Sequence, residues 1–514
     1  MKKFTALLLS VILLISCFSL IAGAEQTKVP TIYIVGQGSK LSADGKYNSS
    51  DIIYPVSIPD GYIGDCCKEL ALPLAAGLLT NKWKSYNDGL YDAFVPFIKD
   101  LKCDNNGNVT NGTGPNFQSS QKEGYVYHDS VTKSDVKAWT FQYDWRLDPV
   151  DLAEEIHDYI EFVKSKTNAE KVNVIARCFA GDIMLAYMDK YGSDSINDLI
   201  MVSVGFDGFE SIGAIFSGKV VFNSKATDRF VSTYLSTDTY ANDPMFETLR
   251  YIVTCIDYSG TLKLTVDMLQ KVYKGIKNDG FKRILRDSVA SMPSFWTYIG
   301  EEYYEDAKAY IFGGVEEEYS GLIEKIDNCH YNILAKYNDI LDAAEANGVR
   351  IYNICKYGFQ ILPVLGKNKV MSDSIISTKA TSLGATCADI DSVLSDKYIN
   401  SADSKYISPD KQIDASTCKY PDHTWFVKNL SHRNMPVCLD LIYNAIINDE
   451  GYTTVTDIGD EFPQFMMASD DSTEIFPATA DNSITTDKTN PRPLKALFGL
   501  LENLFDYIRD LFKK

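Results

Sequence analysis

The chain is 514 residues long, 45% hydrophobic and 23% charged, which is more than one minimal domain needs and ordinary for a folded protein with a large core. Its net charge is −19. An acidic surface repels nucleic acid and anionic membranes, so nucleic-acid binding is set aside. In chain order, Lys2 and Lys3 precede a nearly continuous apolar run over 4–21 and the small residues Ala22, Gly23 and Ala24. Residues 1–24 therefore read as a secretory signal peptide, which places the mature chain outside the cell or at its surface. A retained anchor and a lipoprotein cleavage at Cys17 are alternative readings of the same segment. Residues 31–35 are β-branched and aromatic and read as a buried strand stopping at the tight turn Gly36-Gln37-Gly38. Residues 100–114 read as a surface loop and residues 136–143 as another strand. Asp148 can cap a helix with Pro149 in its first turn, and Leu152, Ile156, Tyr159, Ile160 and Val163 then recur at helical spacing. A strand over 171–175, a helix over 183–191 and a strand over 199–204 continue the alternation. This predicts an α/β chain with a mostly parallel central sheet and helices on both faces.

Strand signals fade between residues 220 and 348, where helical segments rich in Tyr, Lys and Asp predict an inserted helical cap. The sheet resumes at 349–354. The core is thus expected in two parts, 25–219 and 349–450. Residues 451–493 read as a polar linker. Residues 494–514 read as a separate amphipathic helix whose apolar face, including Leu497, Phe498, Leu501, Leu504 and Phe505, suits a membrane surface, a partner, or the chain's own core.

The chemistry centres on residues 176–181, Ala-Arg-Cys-Phe-Ala-Gly, which join the strand over 171–175 to the following helix. A nucleophile at such a turn is presented to substrate, and small flanking residues relieve the crowding. Cys178 holds that place, and Ala176 and Ala180 stand where glycines are usual. A helix N-terminus and a nearby histidine both favour thiolate over thiol, and a thiolate there can attack an ester or thioester carbonyl to form an acyl-enzyme. The plain alternative is an inert cysteine at the end of a core strand. The chain has eleven cysteines but no C-x-x-C pair, which argues against a structural zinc site. No metal and no cofactor is expected.

Upstream of Cys178, Tyr143-Asp144-Trp145-Arg146 follows a strand and precedes a helix. This word resembles the YDWR signature of the lecithin:cholesterol acyltransferase and lysosomal phospholipase A2-like lipases. Residues 202–218 are similar to that family's strand and small-residue loop after the nucleophile helix, and residues 351–358 to its late strand ending in Tyr-Gly. The resemblance spans about residues 30–448, with a divergent cap, and carries cysteine where the family has serine. It implies an α/β-hydrolase fold in which an acid and then a histidine follow the nucleophile. Residues 408–418 look like the family's acid loop and make Asp410 the acid, with Asp373 and Asp414 as alternatives. His432 is the expected histidine, preferred over His423, with Trp425 where the family places a tryptophan. Asp144 and Arg146 are expected to brace the fold. Backbone N–H groups of Gln37 and Phe179 are expected to form the oxyanion hole.

These readings imply a secreted acyl hydrolase or acyltransferase acting on an acyl ester or lipid substrate through Cys178, His432 and Asp410. The alternative is a catalytically inactive relative serving as a secreted binding or surface protein. The Ala-Arg-Cys-Phe-Ala turn favours loss of chemistry; the acid loop and late histidine favour activity.

Overall fold

A computed structural model describes residues 29–481, apart from 47–48, 60, 117–124, 129–134, 235–260, 368, 435–438, 450 and 470–471. The segment over 1–24 and the helix expected over 494–514 lie outside the described residues.

Nine strands form the central sheet: β1 (Thr31–Ile34), β2 (Tyr125–His128), β3 (Asp135–Phe141), β4 (Val172–Arg177), β5 (Ile196–Val202), β6 (Arg350–Tyr357), β7 (Thr424–Lys428), β8 (Phe465–Ala468) and β9 (Ile475–Pro477). Their spatial order is β9-β8-β7-β6-β5-β4-β1-β3-β2. The pairings from β8 across to β3 are parallel, and the edge strands β9 and β2 pair antiparallel. Parallel strands are buried on both faces and read as unbroken apolar runs. In β4, Val172, Val174, Ile175 and Ala176 are all buried.

Helices cover the sheet. Tyr62–Thr80 (α1) and Lys84–Ile98 (α2) precede β2; Pro149–Thr167 (α3) and Ala180–Tyr191 (α4) flank β4. The Asp148 carboxylate caps α3 by accepting from the Val150 N–H at 3.0 Å, and Leu152, Ile156, Ile160 and Val163 face the core, as their spacing predicts. Between β5 and β6 the described residues run through helices including Leu262–Ile276, Glu301–Phe312, Ser320–Asn328 and Tyr337–Ala346. They enclose a core of their own around Trp296, Tyr304, Phe312 and Leu322. Among the described residues, no helix is long and apolar enough to cross a membrane.

The linker expected over 451–493 requires correction. Within it, β8 and β9 extend the central sheet, and Phe465, Met466 and Ala468 are buried. This short apolar run pairs in register with Phe426, Val427 and Lys428 of β7. Residues 482–493 of that stretch lie outside the described residues.

Parallel pairing aligns the carboxyl ends of the strands. Ile34 of β1 lies beside Ala176 of β4, and Arg177 lies beside Val202 of β5. The turns that leave β1, β4 and β7 therefore open at one end of the sheet, where open parallel sheets place their ligands.

Candidate active site

Cys178 sits between β4 and α4 with φ at 51°. Non-glycine residues adopt this left-handed region at a cost of order 1–3 kcal/mol and hold it only where the surroundings impose it. The Cys178 N–H donates to the Val202 carbonyl at 3.0 Å, and its own carbonyl accepts from the Gly181 N–H at 2.9 Å. A close approach lies one residue beyond Ala180, at Gly181. A Cβ on Gly181 would stand 2.3 Å from Val204 Cγ1. Gly181→Ala is therefore expected to lower unfolding free energy by about 1–3 kcal/mol through overpacking, read by urea titration. Unchanged stability would mean that Val204 yields freely.

His432 lies in the loop after β7 and is buried. Its Nδ1–H donates to Asp373 Oδ2 at 2.6 Å, and its backbone N–H donates to the Asp373 carbonyl at 2.7 Å. Asp373 Oδ1 accepts from the N–H groups of Ile375 at 3.1 Å and Ile376 at 2.8 Å. The carboxylate is thus fixed before the ring meets it. Burial alone would raise the Asp373 carboxyl; the charge and hydrogen bond of His432, with the two backbone N–H groups, bring it below its ordinary value. Burial alone would lower the His432 imidazole; the charges of Asp373 and Cys178 and the hydrogen bonds of both lift it to about 9. Cys178 is half-buried and near enough to this ring to act on it electrostatically.

The loop carrying His432 is held from below. Arg177 donates to the His432 carbonyl at 3.2 Å, and Lys356 donates to the same carbonyl at 3.1 Å and to that of Asn434 at 2.6 Å. Burial pushes the Lys356 ammonium well below its ordinary range.

The structure places Asp373 against His432, and sets Asp410 and Asp414 elsewhere. Asp410 Oδ2 accepts from Lys428 Nζ at 2.6 Å, and Asp410 Oδ1 accepts from the Ser408 hydroxyl at 2.6 Å. Lys428 ends the buried strand β7, and a buried ammonium demands a carboxylate partner. Asp414 caps the turn Ala415–Thr417 and accepts from the Tyr398 hydroxyl at 2.9 Å. His423 Nδ1 bonds the Thr453 carbonyl at 2.8 Å, and its ring stacks on Tyr452 at 3.7 Å.

The turn after β1 lies against Cys178. A Cβ on Gly36 would come 3.6 Å from Cys178 Cβ, and the next residue, Gln37, is bonded to Trp145, Ser294 and Tyr298. Among the described residues no backbone acceptor takes the N–H of Gln37 or of Phe179. The Tyr-Asp-Trp-Arg word braces this turn. Tyr143 donates to the Val35 carbonyl and Trp145 to the Ser39 carbonyl, each at 2.8 Å. Arg146 is fully buried, pairs with Asp144 at 2.6 Å and donates to the Thr113 hydroxyl at 2.9 Å.

Three residues absent from the sequence reading complete the surroundings. Tyr298 donates to Gln37 Oε1 at 2.9 Å. Asp182, on the first turn of α4, accepts from the Thr297 hydroxyl at 2.8 Å, and burial lifts its carboxyl to about 8. Both Tyr298 and Thr297 come from the inserted segment, whose position over Cys178 has no local sequence signature. Among the described residues, no cluster of three His, Cys, Asp or Glu side chains is placed to hold a metal ion.

No protein-family model matches the chain, and no curated protein matches it in sequence. Among solved structures, a chain from the crystal structure of the Tle4–Tli4 complex is similar at a TM-score of 0.23 and 9% identity, over 64% of this chain and 75% of that one.

Proposed function

We propose that this protein is a secreted acyl hydrolase or acyltransferase of the α/β-hydrolase class, working on ester or thioester substrates through Cys178, His432 and Asp373. One observation carries the reading: a cysteine at a left-handed strand-to-helix turn lies within electrostatic reach of a histidine whose Nδ1 is bonded to a buried carboxylate at 2.6 Å. The resemblance of residues 143–146 to the lecithin:cholesterol acyltransferase-like lipases supports it, as does the bracing of the β1 turn by those residues. The N-terminal segment supports export, and the amphipathic pattern over 494–514 suits contact with a lipid surface or a partner.

At neutral pH His432 holds two ring protons. Cys178 sulfur adds to the substrate carbonyl carbon and the π pair moves to oxygen. When that pair returns, the bond to the leaving alcohol or thiol breaks and His432 Nε2 delivers its proton to it. Neutral His432 then takes a proton from water or an acceptor alcohol as it attacks the thioester, and the sulfur departs. The product is a free acid or a transferred acyl group.

Labelling with iodoacetamide followed by peptide mapping tests this. Desolvation pushes the buried thiols Cys103 and Cys418 up to about 12 and 11 and the half-buried Cys387 up to about 12, and Cys329 and Cys355 are pushed well above the ordinary range. Cys178 is therefore expected to label far ahead of them, and its alkylation is expected to abolish p-nitrophenyl ester turnover. Cys178→Ser should fold, lose that label and turn over at least about 100-fold more slowly, since a serine hydroxyl is the weaker nucleophile and must be deprotonated as it attacks. A wild-type protein that neither labels at Cys178 nor cleaves any ester or thioester would support the non-catalytic reading instead.

A further inference from the structure

The inserted segment does more than cover the site. The Tyr298 ring stacks on Phe209 at 4.4 Å, with Phe179 at 6.1 Å and Phe295 at 5.9 Å edge-on to it. Its backbone is pinned at both ends: its carbonyl accepts from the Phe209 N–H at 2.7 Å, and its N–H donates to the Phe295 carbonyl at 3.3 Å. The phenol cannot turn away without breaking this packing. Its hydroxyl donates to Gln37 Oε1 at 2.9 Å, and the phenol lies near enough to Cys178 for that thiol to act on it electrostatically. Gln37 is oriented in turn, its amide donating to Ser294 Oγ at 3.3 Å and the Trp145 carbonyl at 3.4 Å. The O–H hydrogen is thus held at rest by a neutral amide oxygen, on the turn that packs against Cys178.

We propose that Tyr298 is a catalytic residue of this site, a hydroxyl donor carried in by the inserted segment that rests on the Gln37 amide oxygen and serves the substrate's carbonyl oxygen in the tetrahedral intermediate. This deepens the acyl-transfer reading and rests on it. As the sulfur adds to the carbonyl carbon, negative charge leaves sulfur and appears on oxygen. The donor follows that charge by rotating about its C–O bond, from the amide oxygen to the substrate oxygen, with no side-chain movement. It then stands as a third donor beside the Gln37 and Phe179 N–H groups, where preorganised donors have their largest effect. Burial, followed by the nearby charges of Cys178 and Asp182, holds the phenol well above its ordinary range, so it keeps the proton that it must donate. The site is incomplete without the inserted segment, which makes Tyr298 a check that the segment is seated.

The test compares full-length wild type with Tyr298→Phe, using p-nitrophenyl acetate. The readouts are the rate of acetyl uptake on Cys178 by mass spectrometry and steady-state kcat and KM. The phenylalanine keeps the ring stack, and a thermal melt checks the fold. The expected result is a slowing of acylation by about 100-fold, the usual cost of one oxyanion donor, with KM within about two-fold. Should the variant fail to fold, 3-fluorotyrosine at position 298 keeps the shape but strengthens the donor, and acylation should then accelerate. Wild type that acylates while Tyr298→Phe acylates equally fast, or an unchanged rate with fluorotyrosine, overturns the donor role alone. Wild type that takes up no acetyl on Cys178 overturns the acyl-transfer reading and this inference with it.

Discussion

Replacing Asp373 with asparagine is expected to cut ester turnover by about 10³- to 10⁴-fold while leaving the fold intact. The carboxylate accepts from His432 Nδ1 at 2.6 Å. An amide offers the same shape but can turn its N–H groups toward the ring. The imidazole then keeps its lone pair at Nδ1 and its proton at Nε2, the wrong tautomer to accept a proton there. Asp410→Asn should give the opposite pattern. It leaves the Lys428 ammonium buried without its 2.6 Å partner, a loss typically costing about 3–5 kcal/mol of stability, while turnover per folded molecule stays near wild type. Urea unfolding and initial rates on the same preparations separate the two. A stable but inactive Asp410→Asn beside an active Asp373→Asn would return the acid role to residue 410.

The competition between these two aspartates shows where sequence reasoning ran short. Residues 408–418 carry the more family-like pattern, and chain order allows either acid. The decision lies at Lys428, a residue that reads as an ordinary surface lysine at the end of a strand. Only pairing shows that it is the last residue of a strand walled in by β6 and β8. Once buried, it must take a carboxylate, and Asp410 is the one at hand. Asp373 is left to the ring, already oriented by two backbone N–H groups.

The strand-to-helix turn at Cys178 was legible for the opposite reason. A short apolar strand, a run of small residues and a helix with a 3.6-residue period are local patterns, and the φ of 51° at Cys178 follows from them. Strands β8 and β9 were hidden because four and three residues among Asp, Ser, Thr and Pro make a weak signal against a polar background. The helices α1 and α2 went unread although both are long. Tyr298, Asp182 and Thr297 illustrate a third kind of illegibility. Each is an unremarkable residue in its own segment, and its role arises only from the insertion folding back across α4, a contact of long sequence separation.

A steep loss of stability between pH 5 and pH 9 is expected, and Asp182→Asn should remove much of it. The Asp182 carboxyl is raised by burial from 3.8 to about 8. A raised folded-state value means that the folded protein holds a proton that the unfolded chain releases. The stability from that proton is fully present below the unfolded value and is lost as pH climbs to about 8. His432 acts in the same direction over a higher window. It is lifted from 6.5 to about 9, so its contribution is complete below 6.5 and gone above about 9. Asp373, lowered by its histidine and backbone partners, works on the other side: its contribution is present above the ordinary carboxyl range and is lost as pH falls through the folded value. Stability should therefore be greatest at mildly acidic pH. In Asp182→Asn the amide oxygen still accepts from the Thr297 hydroxyl, and nothing at that position titrates. The variant should gain on the order of a few kcal/mol over wild type at pH 9 and little at pH 4, since one pKa unit corresponds to about 1.4 kcal/mol. Urea unfolding at pH 4, 5, 7 and 9 measures both slopes, and an identical loss in the two proteins would mean that Asp182 is already ionised in the fold at neutral pH. Thiol-dependent turnover supplies an independent reading of the His432 window. Release of its proton near pH 9 removes the acid that the leaving group needs, so acylation of poor leaving groups should fall there in both proteins, while p-nitrophenyl esters, whose leaving group needs no proton, should hold their rate.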